Sequence, residues 1–400
     1  MNIVLFLQQS ALIWRQPMMK FSLDIDYILK WPKFLLQIFG LWNDNSSKIC
    51  LFLLRSMLFF LVISTILSSF NEIFTTDHQL LMPANFVAQT IRYLSWLQKI
   101  FIYLTKRKKM SDLLASSFCN ITAPTFLRSY TKQFRLHSNK IMNKSYIMRY
   151  VYIILFILII IFLEHFDLSS LAMIVIFIIS RLLFALLHIQ ALGYSIMYLS
   201  WLELSLCQLE HMNQVLRTLQ YSRRNVLKKQ KLQNSRNQIR ITETLRYVIQ
   251  LHQRVARFIN GLNHIFSFVM LMELWSTHVI FSVTFVKLVF EGLLHDMALT
   301  IAIVISTILI YFYMGLICWK ATCIVEQSSS KLQNNLCNVP WWEWNSSNLN
   351  LRNCMFSISM REMQIRAGPI YNFSLPTFAT ILSVSLYYFI FLYQLGDGFK

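Results

Sequence analysis

The stretch LPTFATILSVSLYYFIFLYQL, residues 375–395, carries no charged side chain and follows the helix-ending dipeptide Gly368-Pro369. An apolar stretch of about 20 residues can cross a bilayer as a helix. Six similar stretches precede it along the chain. They lie at approximately 50–70, 84–104, 146–165, 172–202, 264–286 and 298–319. The sequence therefore predicts seven transmembrane helices.

The composition agrees with a helical membrane protein. The 400 residues are 56% apolar and only 14% charged, whereas a soluble domain carries about 25% charged residues to cover its surface. The chain has 32 Phe and 17 Tyr but only 8 Gly and 7 Pro. This composition favours long helices over strands or disorder. We expect the first span to serve as the targeting signal, because the N-terminus lacks a cleavable signal pattern.

The loops between the apolar stretches predict the orientation. Segment 106–145 has nine Lys or Arg residues and one acid, and segment 206–260 has eleven Lys or Arg residues and two acids. Segments 71–83 and 166–171 have no Lys or Arg. Positively charged loops stay in the cytosol. The N-terminus is therefore predicted to be cytosolic and the C-terminus extracellular. The two basic loops hold 20 of the 37 Lys and Arg residues. The net charge of +19 therefore indicates loops that orient membrane spans, and we expect no nucleic-acid partner.

Two predicted spans continue beyond the membrane as amphipathic helices. Apolar residues recur at three- and four-residue spacing through 206–219 and 245–262. Isolated amphipathic projections are marginally stable, so these should pack together as a cytosolic anchor bundle. Segment 346–367 is predicted to be another cytosolic helix. The seven cysteines avoid the segments predicted outside, so we expect free thiols.

The predicted organisation has seven segments. They are a cytosolic N-terminal segment with an interfacial helix (1–48), transmembrane helices one to four (49–205), cytosolic helical extensions (206–262), transmembrane helices five and six (263–320), a cytosolic anchor segment (321–374), the last transmembrane helix (375–395) and an extracellular tail (396–400).

The sequence contains no enzyme or metal-site pattern. It lacks HExxH, GxSxG, a glycine-rich phosphate loop and clustered metal ligands. We therefore expect neither catalytic residues nor a cofactor nor a bound metal.

The last predicted span has a recurring face at helical spacing, formed by Thr380, Val384, Tyr387, Phe391, Gln394 and Leu395. This face suits either an ordinary packed helix interface or the lining of a pore. Hydrophobic rings gate pores by dewetting and polar rings set permeation. Tyr388 lies on a different face.

Polar side chains lie in the outer halves of spans two to six. A cavity with aromatic walls and a few polar anchors is suited to a small ligand, although the same groups also form ordinary bonds between helices. The candidate pocket residues are Gln89, Tyr93, Glu164, Arg181, Trp275, Thr277, His278 and Thr300.

The C-terminal stretch AGPIYNFSLPTFATILSVSLYYFIFLYQL, 367–395, resembles the insect chemoreceptor superfamily, and in particular its gustatory receptors. Those receptors end in Thr-Tyr, five apolar residues and Gln-Phe. Here Tyr387-Tyr388 is followed by FIFLY and Gln394-Leu395, with the same spacing. Segments 181–219 and 251–271 also resemble gustatory receptors. KWPKFLLQIFGLW near the start and NVPWWEW at 338–344 are instead similar to odorant receptors of ants and wasps, the second choice.

The resemblance implies a tetrameric ligand-gated cation channel in the plasma membrane, with homomeric or heteromeric subunits. The cytosolic helices would form an anchor shared between subunits, and a tastant or odorant would bind in the outer half of the membrane domain. By position, Phe391, Gln394 and Leu395 would line or gate the pore, Tyr387 lies in the motif, and Tyr388 would hold the last helix.

Four functions stay open at this point. The leading hypothesis is a gustatory ligand-gated, non-selective cation channel. The second is an odorant-specific subunit that needs a common co-receptor. A transporter would predict repeat halves and broken helices, which the sequence does not show. A G-protein-coupled receptor would require the reverse orientation, and its DRY and NPxxY motifs are missing.

Overall fold

The computed structural model describes helical positions at intervals between 94 and 113, and then residues 194–219, 232–290 and 297–397. Several predictions lie outside these residues. They are the N-terminal segment 1–48, the stretches 50–70 and 146–165, and the pocket residues Gln89, Tyr93, Glu164 and Arg181. The backbone is described at Thr300 and Leu395, but their side chains are not.

The described chain is built mainly from helices. In order they are α1 (194–219), α2 (Leu232–Phe290), α3 (Met297–Ser328), α4 (Ser330–Cys337), a 3-10 turn (Trp341–Glu343), α5 (Ser346–Ser359) and α6 (Leu375–Asp397). Between α5 and α6, β1 (Arg366–Ala367) and β2 (Tyr371–Asn372) pair antiparallel, with Arg366 opposite Asn372 and Ala367 opposite Tyr371.

α2 dominates the architecture. It has 59 residues and is therefore about 90 Å long at 1.5 Å per residue. The helix runs without a break through the boundary at 262/263 that was predicted to separate a cytosolic extension from a membrane span. The predicted cytosolic extension and the predicted span are thus one continuous helix, and the position of the membrane along it stays a prediction.

The amphipathic stripes predicted in α1 and α2 form the core between these helices. In α1, Leu209, Met212 and Leu216 are fully buried, and in α2 so are Leu245 and Val248. All five belong to one hydrophobic cluster. The two stripes therefore cover each other, as expected of amphipathic helices that are too polar to be stable alone.

An aromatic cluster continues this core toward the predicted membrane domain. The ring of Phe266 on α2 meets Tyr194, Tyr198 and Trp201 of α1 edge-on, with centroids 5.6, 5.7 and 5.2 Å apart. Edge-to-face packing is a favourable geometry for such rings. The contacts fix α1 against α2 at the level where the predicted spans begin.

The predicted helix 346–367 is wrong in its second half. α5 ends at Ser359, and the short β1–β2 hairpin takes the place of its predicted continuation. The reason lies in α2, whose side chains hydrogen-bond to the backbone of residues 364–368 and hold it extended. Periodicity within one segment does not show that a distant helix will supply these partners.

Two described helices are long and apolar enough to cross a membrane, Asn237–Val279 and Ile308–Cys337, with a shorter apolar helix at Leu375–Phe391. These contain parts of the predicted spans five, six and seven. α3 runs to Ser328, beyond the predicted end of its span at 319. The count of seven spans and the orientation of the termini stay predictions.

Candidate functional site

The connector that leads into α6 is fixed to one face of α2. Asn263 Nδ2 donates to the carbonyl of Gln364 at 2.8 Å, and Asn263 Oδ1 accepts from the Arg366 amide at 2.9 Å. One turn further along α2, the Gly368 amide donates to the Ser267 carbonyl at 2.7 Å, and Ser267 Oγ donates to the Gly368 carbonyl at 3.1 Å. We call these five residues the connector clamp.

The clamp requires glycine at 368. The φ angle of Gly368 is +66°, in the left-handed region that glycine adopts without strain. A Cβ at this position would lie 2.7 Å from Leu271 Cδ2. Leu271 continues the α2 face of Asn263 and Ser267 by one more turn. The backbone therefore approaches α2 closely only because residue 368 lacks a side chain.

The first turn of α6 is capped and tied to α3. Ser374 Oγ accepts from the Thr377 amide at 3.2 Å, as expected of an N-cap serine. The Leu375 amide donates to Thr322 Oγ1 of α3 at 3.0 Å. About one turn further along α6, Gly315 of α3 leaves space for the ring of Phe378. The base of α6 is thus held by both α2 and α3.

The middle of α6 is held at a single buried hydroxyl. Ser385 Oγ lies 2.6 Å from His278 Nδ1 of α2 and 2.8 Å from the Tyr311 hydroxyl of α3. It also donates to the Ile381 carbonyl in its own helix at 2.8 Å. Ser385 is completely buried. We call Ser385, His278 and Tyr311 the Ser385 node.

All three contacts of Ser385 Oγ are hydrogen bonds at the same time in one arrangement of protons. A serine hydroxyl has one hydrogen to donate and two lone pairs that accept. Since the Ile381 carbonyl can only accept, it takes the hydrogen of Ser385, and both other partners must donate. The network therefore assigns the proton of His278 to Nδ1. Every donor and acceptor site on Ser385 Oγ is then used.

The opposite side of α6 is exposed, and no described residue covers it. Tyr387 is 71% exposed and Phe391 is 56% exposed. Thr380, Val384 and Gln394 are also exposed. Except for Leu395, whose side chain is not described, the predicted recurring face is therefore one continuous exposed surface.

Tyr388 lies at the edge between the exposed and buried sides. It is 52% exposed, yet its ring meets the His278 ring edge-on, with centroids 5.1 Å apart and an interplanar angle of 85°. The predicted role for Tyr388 was to hold the last helix in place. Its contact with the Ser385 node supports that role, which stays a proposal.

Three of the predicted pocket residues, Trp275, Thr277 and His278, have described side chains, and all three lie on α2. Trp275 is 46% exposed, whereas Thr277 is buried and its hydroxyl donates to the Glu273 carbonyl in the same helix. His278 is engaged by Ser385. Trp275 and His278 are three residues apart and share one side of α2, whereas Thr277 lies on another side. The ligand pocket as a whole stays a prediction.

Two ion pairs join helices inside the predicted membrane domain. Lys99 pairs with Glu273 of α2, which also accepts from Ser95 Oγ at 3.1 Å. Glu203 of α1 pairs with Lys320 of α3 at 2.7 Å. The carboxylates were recognisable as costly groups inside apolar stretches, and the structure supplies their partners.

Sequence reasoning did not identify Ser385, Tyr311, Asn263 or Ser267 as functional. Serine, tyrosine and asparagine are common in membrane helices, and nothing in their spacing distinguishes these four. The one available signal was His278, an ionisable group in an apolar stretch that requires a polar partner. No set of three His, Cys, Asp or Glu side chains suited to a metal ion occurs among the described residues.

The comparisons with known proteins agree with this architecture. The sequence profile of the 7tm Odorant receptor family matches residues 87–386. The fold is similar to the insect olfactory receptor OR5 from Machilis hrabei in complex with eugenol, with a TM-score of 0.73, 13% identity, and coverage of 92% of this chain and 100% of that one. A second structure of OR5 from the same insect matches with a TM-score of 0.71, 14% identity and the same coverage. Comparison with curated protein sequences gives no match.

The family match identifies the chain as a membrane-embedded chemoreceptor of the insect superfamily, which is not a family of enzymes. The chain belongs to the 7tm Odorant receptor family, whose profile covers three quarters of it. The predicted superfamily is therefore confirmed. The gustatory branch is not supported, and the odorant branch, the second choice from the sequence, fits better.

Proposed function

We propose that this protein is an odorant-binding subunit of a ligand-gated, non-selective cation channel in the plasma membrane, working as a heterotetramer with a common co-receptor. The family match supports the odorant type. The observation that carries the channel role is the exposed face of α6, which is apolar at Val384 and Phe391 and ends in the amide of Gln394.

A packed interface within one subunit would bury this face, and here it is not buried. A large exposed apolar patch marks a site of contact. Around a fourfold axis, the Gln394 side of each α6 would turn toward the axis, and the flanking aromatic residues would meet neighbouring subunits. Such a ring combines a hydrophobic constriction with a polar position. A small molecule bound beside α2 would open it by separating the last helices.

The test is whole-cell recording from cells that express the chain with a co-receptor and are stimulated by a panel of volatile molecules. Gln394→Arg should reduce cation permeability by at least several-fold, because it places guanidinium groups in the permeation path. Gln394→Asn retains the amide and should leave the selectivity close to that of the unmodified chain.

Unchanged permeability ratios in the Gln394→Arg channel would exclude the pore assignment. Expression of the chain alone is the second arm of the experiment. Currents that need no co-receptor would favour the homomeric gustatory type, for which the spacing from Tyr388 to Gln394 is the supporting feature. Uptake that saturates without a unitary current would indicate a transporter.

A further inference from the structure

The Ser385 node and the predicted pore face lie on opposite sides of α6. Nine residues separate Ser385 from Gln394, which is a rotation of about 180° at 3.6 residues per turn. The structure agrees, because Ser385 is completely buried and Gln394 is exposed. A contact at Ser385 therefore holds the helix from behind without touching the surface that would line the pore.

The two attachments of α6 differ in kind. At the base, the connector clamp bonds mainly to backbone atoms of residues 364–368, and the Leu375 amide bonds to Thr322. These bonds are spread over backbone atoms of four residues, so the loss of one bond leaves the others in place. In the middle, the hydrogen bonds described between α6 and its neighbours all involve Ser385.

The node joins three helices at one oxygen atom. His278 comes from α2 and Tyr311 from α3. Heavy-atom distances in protein hydrogen bonds reach about 3.2 Å, and a side-chain contact at about 3.6 Å is no longer a hydrogen bond. A relative shift of α2 and α3 by roughly 1 Å would therefore break at least one of the two bonds. His278 directly follows Thr277, which is one of the predicted pocket residues. A displacement of this part of α2 would therefore reach Ser385 through the His278 side chain.

We propose that the Ser385 node is a latch that keeps the last helix in its closed position, with the connector clamp as the fixed pivot below it. Opening breaks the hydrogen bonds from His278 and Tyr311 to Ser385 and tilts the part of α6 beyond the node. This inference rests on the proposed channel function, and it assigns Ser385 as a positioning residue for gating.

The test compares Ser385→Ala with Ser205→Ala in the full-length chain. Ser205 is matched in residue type and in complete burial, and its hydroxyl donates to the Trp201 carbonyl four residues earlier in the same helix. Two readouts are used. One is the ligand-free current carried by Na⁺ in cells that also express the co-receptor. The other is backbone hydrogen exchange of the purified protein in detergent.

The latch predicts that Ser385→Ala raises the ratio of open to closed channels about tenfold without ligand, because two hydrogen bonds between helices are lost. Hydrogen exchange should increase in residues 386–397 and stay unchanged in residues 364–372. Ser205→Ala should change neither readout.

A double-mutant comparison separates a latch from general loosening. Tyr311→Phe removes one of the same bonds. Adding it to Ser385→Ala should therefore raise the ligand-free current no further than Ser385→Ala alone does. His278→Asn keeps an N–H donor in a similar position and should restore closure relative to His278→Leu. Additive effects of Tyr311→Phe and Ser385→Ala would overturn the latch.

The failure of the latch and the failure of the channel function give different results. Unchanged exchange in residues 386–397 of Ser385→Ala overturns the latch whatever the currents are. Suppose that the permeability of the channel responds to Gln394→Arg. If Ser385→Ala then increases exchange but not the ligand-free current, only the gating role is overturned. Increased exchange in a protein that conducts in no variant and with no partner overturns the channel function.

Discussion

The two halves of α2 make different kinds of polar contact with the rest of the chain. In the half predicted to lie in the cytosol, amides bond to amides and backbone: Gln238 Oε1 accepts from Asn348 at 2.8 Å, and Gln238 Nε2 donates to the Glu343 carbonyl at 2.9 Å. In the half predicted to lie in the membrane, Glu273 pairs with Lys99, and His278 with Ser385.

The difference follows from the surroundings. In the cytosol water can replace a lost partner, so a broken contact costs little. In hydrocarbon each polar group that loses its partner stays unsatisfied. We therefore expect polar substitutions in the membrane half to have larger effects than those in the cytosolic half, with the connector clamp between them.

The largest effect is expected for Glu273→Ala. It leaves Lys99, whose side chain is only 5% exposed, without its partner. Removing one member of a buried pair costs about 3–5 kcal/mol. This loss is measured as a fall in the midpoint of thermal unfolding in detergent. The midpoint is determined by size-exclusion chromatography of protein heated to a series of temperatures. The double variant Lys99→Met with Glu273→Met should be more stable than Glu273→Ala, and equal losses would refute the pairing.

Gly368→Ala should have the next largest effect. The substitution forces a side chain into a left-handed conformation and brings Cβ within 2.7 Å of Leu271 Cδ2. Together these cost about 2–4 kcal/mol. Gly315→Ala is the matched control, since its Cβ would lie 3.3 Å from Phe378 Cζ and its backbone is helical. Similar losses of thermal stability in the two variants would contradict the special role of position 368.

Asn263→Ala tests the side-chain part of the connector clamp. It removes the bonds to Gln364 and Arg366. Because Asn263 is partly exposed, water partly replaces them, and we expect a loss of about 1–2 kcal/mol. The neighbouring His264 is exposed, so His264→Ala should change the unfolding midpoint little. Hydrogen exchange at residues 364–368 should rise only in Asn263→Ala, and an unchanged rate there would argue against the clamp.

The smallest effect is expected for an exposed ion pair between α3 and α4, in the predicted cytosolic anchor segment 321–374. Lys331 and Glu326 are 3.7 Å apart, and their side chains are 46% and 52% exposed. Such pairs contribute about 0–1 kcal/mol. Lys331→Ala should shift the unfolding midpoint by less than the error of the measurement. A shift as large as that of Glu273→Ala would contradict the expected difference between polar contacts in the predicted cytosolic and membrane parts of the chain.

Much of the helical framework was predictable. The stripes through 206–219 and 245–262 identified the faces that pack together, because a helix repeats every 3.6 residues and its apolar side must be covered. The face through Tyr387 and Gln394 was also identified in advance, and the structure leaves it exposed. Segment 360–367 was predicted incorrectly, because its backbone partners come from residues about a hundred positions away.

The sequence alone determined that the chain is a helical membrane protein, because span length and helical period are local properties of the chain. The superfamily entered through the resemblance of residues 367–395 to known chemoreceptors. Only the tertiary structure decided which polar groups meet. Lys99 and Glu273 are separated by more than 170 residues, and Ser385 by more than 100 from His278. Burial requires each such group to have a partner, but only the packing of the helices determines which residue provides it.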